Sequence, residues 1–173
     1  MLYSSISEPI AFQAERAKRE QAVIDKLMEI RTAQEAYRGI TGTFAHTFDT
    51  LKQVLTEGKF AIINVQGDPD DPNAVITYDT TYITASDSLA SLGLNLDSLK
   101  FVPYSDGAMF NIKADTIDYQ QTIVSVTEVG TPIKAYMGRY ADERFVRYDS
   151  KYNPAGTRKF GDMNKPNLSG NWE

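Results

Sequence analysis

The sequence predicts an α+β domain: a long N-terminal helix and a short second helix packed on an antiparallel β-sheet. Three observations carry this. Residues 8–42 are rich in strong helix formers, and their apolar residues step by three and four. From Lys59 onward the period changes to short β-branched and aromatic runs. Short connections rich in Gly, Pro, Asp and Asn separate those runs, which favours antiparallel neighbours.

The helix comes first. Val23, Leu27, Ile30, Ala33, Gln34, Tyr37 and Ile40 trace one face, which Ile24 and Met28 widen. Pro9 suits the start of the helix, and Gly39 and Gly42 its end. Its first half differs. Between residues 13 and 21 only Ala14 and Ala17 are apolar, too little to bury a face. That half reads as an extension standing clear of the domain.

Thr47 or Asp49 is placed to cap a second helix with Phe48, Leu51, Val54 and Leu55 on one side. Gly58 then reads as a C-terminal stop, and Phe44 and Phe48 are expected to fold back onto Tyr37 and Ile40. Residues 60–65 and 75–83 read as strands around the turn-rich 68–73. Ser86 or Asp87 starts a helical turn that Gly93 ends. Four further strands are expected at 100–104, 108–114, 121–129 and 132–137, in a meander whose first turn is Ser105-Asp106-Gly107. Residues 141–148 suit a short helix or a strand, and beyond Asn153 only Trp172 offers a large apolar surface, expected to dock.

With 173 residues, 42% hydrophobic, the chain can bury one sizeable core. A formal net charge of −5 argues against an electrostatic nucleic-acid binder, and Arg16, Lys18 and Arg19 are balanced by Glu15 and Glu20. Without cysteine there is no disulfide and no thiolate chemistry. Met1, Leu2, Tyr3 and Ile6 form an apolar fragment abutting the charged helix, either a frayed terminus or the last turn of a membrane span.

Chemistry-bearing residues are few. His46 is the one histidine, so metal or general-base work would need carboxylates brought in by the fold; a turn or capping role is the simpler reading. Asp68, Asp70, Asp71 and Asn73 form the densest oxygen cluster. An EF-hand would need Gly at the sixth position and Glu at the twelfth, where Asn73 and Asp79 stand, so a solvated acidic turn is preferred to a calcium loop. Six of the ten tyrosines follow residue 100, which suits half-buried strands or a binding face for a glycan or peptide. No phosphate loop, nucleophile elbow or zinc-type histidine pair occurs, so no catalytic, cofactor or metal residue is assigned.

The order Ala36-Tyr37, then Thr41-Gly42-Thr43-Phe44, then Leu51 and Leu55, then a sheet, resembles the soluble part of type IV pilins and type II secretion pseudopilins. A closer resemblance is to an uncharacterised family of bacterial single-pass envelope proteins. It rests on Glu8-Pro9-Ile10, Ile30-Arg31-Thr32-Ala33-Gln34-Glu35-Ala36-Tyr37, Thr47-Phe48-Asp49-Thr50-Leu51 and the ending Gly170-Asn171-Trp172-Glu173. The prepilin cleavage motif and the glutamate near the start of mature pilins have no counterpart in these residues. The resemblance implies a pilin-like, non-enzymatic domain, anchored by a membrane segment upstream and facing outward in the envelope, with protein partners or self-assembly. On that reading residues 1–22 are a membrane-proximal stalk, 23–153 the α+β domain and 154–173 an irregular tail. The alternative is an envelope binding module using the sheet face and the acidic loop for a peptide, glycan or cation.

Overall fold

The computed structural model describes the backbone of residues 2–173, and the side chains of residues 5–59 and 63–173. Met1 and the side chains of Leu2 and Tyr3, three of the four residues of the expected apolar start, lie outside the described residues. The architecture is α+β: a long helix, short helices and two separate antiparallel sheets.

Helix α1 runs Leu2–Thr41, 40 residues and about 60 Å at 1.5 Å per residue. It starts earlier than the sequence suggests, so Pro9 sits inside it rather than at its entry. Val23, Leu27, Ile30, Ala33 and Tyr37 are buried as expected. Gln34, on the same face, is also buried and fixes the chain that leaves the helix. Its Oε1 accepts from Ala45 N at 2.9 Å, and its Nε2 donates to Ala45 O at 3.0 Å. A buried amide satisfied on both sides stabilises its loop, where an unmatched one would cost the full desolvation penalty.

Helix α2, Phe48–Glu57, is capped by Thr47, whose hydroxyl accepts from Thr50 N at 3.1 Å, and buries Leu51 and Leu55. Gly58 follows with φ −73°, not the left-handed value expected of a helix-stopping glycine. It is glycine for space: a Cβ there would lie 2.4 Å from Val54 O and 2.8 Å from the Ile40 Cδ1.

Strands β1, Lys59–Gln66, and β2, Thr77–Thr84, pair antiparallel and form a two-stranded sheet of their own. Thr84 caps α3, Ala85–Ser91, and Ala85 N donates to Gly58 O at 2.8 Å, tying the foot of this hairpin to the body.

The second sheet has the order β3-β4-β5, with β3 Asn111–Tyr119, β4 Thr122–Pro132 and β5 Thr157–Gly161. It departs from the expected meander at both ends. The strand expected at 100–104 shrinks to one bridge, Phe101 to Met109, around the turn at 105–107. The strand expected at 132–137 is a helical turn, α4 Lys134–Met137, because the ladder stops at Pro132. Residues 141–148 take the short-helix alternative, largely as the 3₁₀ helix Glu143–Tyr148, preceded by another at Gly138–Ala141. The β3–β4 hairpin turns on Gln120 and Gln121, both with positive φ, 50° and 67°, where Asn-Gly is the usual pair.

The third strand lies in the stretch expected to be an irregular tail. β5 pairs with β4 from Thr157 against Pro132 to Gly161 against Glu128, with Phe160 fully buried. Gly161 closes it at φ +85°, and a Cβ there would sit 2.0 Å from Thr127 O, so no other residue fits without moving β4. Trp172 docks as expected, half-buried against the core with the Arg31 guanidinium 5.9 Å above its ring.

The first half of α1 is a correction of larger consequence. It does not stand clear: Phe12 is 0% exposed and belongs to the same core as Leu27 and Phe160. The inward face continues from Val23 back through Glu20, Arg19, Arg16 and Phe12, still in steps of three and four.

Candidate functional surfaces

Phe12 is the centre of an aromatic cluster. The rings of Tyr152, Phe145, Tyr140 and Tyr148 lie 5.1, 5.2, 5.7 and 6.1 Å from it, centroid to centroid. Such pairs prefer tilted or offset arrangements, and these are mostly tilted. Tyr152 Oη donates to Tyr140 O at 2.6 Å. Of the six tyrosines after residue 100, Tyr136, Tyr140 and Tyr152 are core, Tyr119 and Tyr148 are half-buried and Tyr104 is exposed.

Beside this cluster runs a seam of charge. Glu20 Oε1 accepts from Arg16 Nε at 3.3 Å and from Arg158 Nη2 at 3.1 Å. Arg16 Nη1 also donates to Asp149 Oδ2, and Arg19 Nη1 to Tyr136 O at 2.9 Å. The arginine stems and planes fill apolar space: Arg16 lies 5.0 Å from the Tyr152 ring, and Arg19 lies 5.1 Å from that of Tyr104. The Lys151 N–H, then the Arg16 guanidinium against the opposing pull of burial, hold the Asp149 carboxyl below the usual carboxylate range.

Burial pushes the hydroxyls of Tyr136 and Tyr152 up to about 12, from an ordinary 10.0. A raised folded value means that the unfolded chain ionises first. Their contribution is therefore intact below pH 10.0 and is lost as pH rises towards about 12. In an alkaline titration, Tyr136 and Tyr152 are expected to give phenolate absorbance only as the ellipticity of the folded state disappears.

His46 is exposed in the loop between α1 and α2 and makes no hydrogen bond among the described residues. The acidic loop is also exposed, and its side chains fold onto their own backbone. Asp68 Oδ1 accepts from Asp70 N at 2.9 Å, and Asp71 Oδ1 from Asn73 N at 2.9 Å. Among the described residues no three His, Asp or Glu side chains gather as a metal site would require.

Two surfaces remain. At the start of α1, an open groove of about 860 Å³ lies between Ser7, Glu8 and Ala11 on one side and Arg139, Arg147 and Tyr148 on the other. Glu8 holds it together, accepting from Tyr148 Oη at 2.6 Å and pairing with Arg144 at 3.1 Å. The Tyr148 hydroxyl first, then Arg144 and Arg147, keep the Glu8 carboxyl below its usual range. Ile6 and Ile10 are exposed on the same end of the helix. No helix among the described residues is long and apolar enough to cross a membrane.

The second surface is the β1–β2 hairpin, where Ile63, Val65, Tyr78 and Tyr82 all stand in solvent. Comparison with known proteins adds no name to either surface. No family model matches the chain, and no curated protein or solved structure matches it significantly.

Sequence reasoning missed both the aromatic cluster and the charge seam, although Phe12, Arg16, Glu20 and Val23 already share one helical face in the sequence. A period-two pattern alone does not report how far the β1–β2 hairpin stands open to solvent.

Proposed function

We propose that this chain is a pilin-like, non-enzymatic structural or assembly component of a bacterial cell envelope, held to the membrane by an apolar segment upstream of residue 1. The observation that carries the reading is the fixing of α1 along most of its length. From Phe12 to Tyr37 its inner face is buried, and its inward charges are engaged in ion pairs or hydrogen bonds that hold the helix to the 136–158 region. A helix docked in this way transmits position and load from its free end to the domain. A flexible linker would not.

The free end suits a membrane surface. Ile6 and Ile10 are exposed at the same end of α1 as the groove lined by Arg139 and Arg147, so that end offers apolar and cationic groups of the kind that meet lipid headgroups. The order of elements that resembles pilins and single-pass envelope proteins supports the same setting.

The test uses the natural gene product from its own start codon. It is expected in the membrane fraction, resistant to high salt and alkaline carbonate, released by detergent, and cleaved by protease added outside the cytoplasmic membrane. Recovery in the cytosol without detergent overturns the reading.

A further inference from the structure

We propose that the β1–β2 hairpin is a self-association element, packing face to face with the hairpin of a second copy of this chain. It extends the assembly role above but does not require the membrane anchor.

The register divides the hairpin into two unlike faces. Val65 pairs with Tyr78 and Ile63 with Thr80, so Ile63, Val65, Tyr78 and Tyr82 share one side. On the other, Asn64 pairs with Asp79 and Gln66 with Thr77 towards the tip, while Phe60 pairs with Ile83 and Ile62 with Thr81 towards the foot. Only the distal part of the ribbon is amphipathic, and it is open on both sides; on its apolar side these four residues are 62%, 55%, 70% and 67% exposed. An isolated two-stranded hairpin is marginal in water unless something packs on it. This one is tied down at its foot, through Ala85 and Gly58, while its distal half projects.

The occupant follows from charge and area. The foot carries Lys59, and the tip carries Asp68, Asp70 and Asp71. Two hairpins stacked antiparallel about a two-fold axis place each Lys59 towards the partner's acidic tip, while the uncharged middle meets itself. Parallel stacking would set acidic tip on acidic tip. The four side chains offer on the order of 500 Å² a side, so stacking buries about 1,000 Å², the lower bound for a specific interface. Paired tyrosines with branched aliphatics match the composition of interface cores. A dimer that dissociates in the micromolar range is the natural result.

The experiment is sedimentation equilibrium of the soluble chain over a wide concentration range, with circular dichroism on each variant. The wild type is expected to dimerise. Ile63→Lys and Tyr78→Glu should each weaken the dimer at least tenfold with the ellipticity retained. Asn64→Lys, on the opposite face where Asn64 pairs with Asp79, should leave it unchanged. Lys59→Glu should weaken it, and so should added salt. A wild type monomeric throughout overturns the proposal, as does a dimer indifferent to Ile63→Lys or equally sensitive to Asn64→Lys. Binding of a monomeric wild type to phosphatidylcholine–phosphatidylglycerol vesicles, lost in Ile63→Lys, would overturn it in favour of lipid. Because the readout needs no anchor, a failed membrane fractionation leaves this result standing, and the converse also holds.

Discussion

Phe12→Ala should lower the stability of the domain by about 3–5 kcal/mol, read from the midpoint of urea unfolding. Phe12 is fully buried and touches four other aromatic rings, so its removal forfeits transfer free energy and leaves a cavity that rigid rings cannot close. A comparable loss is expected for Leu27→Ala, which lies in the half of α1 recognisable as core. Ile10→Ala, at a residue 65% exposed, should stay within about 0.5 kcal/mol. The comparison discriminates between two pictures of the helix. If the first half were a loose extension, Phe12 and Ile10 would respond alike. The loss at Phe12 has a ceiling set by the cost of undocking residues 2–20 as a unit, so limited proteolysis should show that segment cleaved first in the variant.

Where the fold was legible in the sequence, one signal was clean. Val23, Leu27, Ile30 and Tyr37 are apolar at helical spacing and are buried. Thr47 and Leu51 announced α2, and the alternation of 108–114 and 121–129 announced β3 and β4, with both strands extending further than the pattern did. The failures share one cause. Residues 16, 19 and 20 point inward but are charged, so hydrophobic periodicity places them outside. Thr157-Arg158-Lys159-Phe160-Gly161 offers one buried apolar residue, too few to register as a strand. These two misread stretches are each other's partners: Glu20 of the supposed stalk pairs with Arg158 of the supposed tail. Each residue explains the other's burial, and neither is intelligible alone. Phe12 is the signal that was present, an aromatic one step beyond Arg16 on the same face as Val23.

Glu20→Ala tests that reciprocity and should cost about 3–5 kcal/mol, the range for removing one member of a buried ion pair. Glu20 and its two arginines are nearly withdrawn from water, with side-chain exposures of 17% for Glu20 and 15% for each arginine. The two arginines do not suffer equally. Arg16 keeps Asp149 when Glu20 is lost. Arg158 has its Nε already buried without a hydrogen-bond partner, and Glu20 is the carboxylate it meets among the described residues. The larger part of the loss therefore falls on Arg158, as an uncompensated buried cation beside the buried Tyr136 hydroxyl. Arg158→Met in the Glu20→Ala background should then recover stability rather than add damage, because it removes the stranded charge and keeps the apolar stem that packs on α1. A double-mutant cycle over Glu20 and Arg158 is expected to give a coupling of about 1–3 kcal/mol, with a smaller value for Glu20 and Arg16. If Glu20→Ala proved neutral and uncoupled from Arg158, the seam would be surface decoration, and the aromatic cluster alone would hold the first half of the helix.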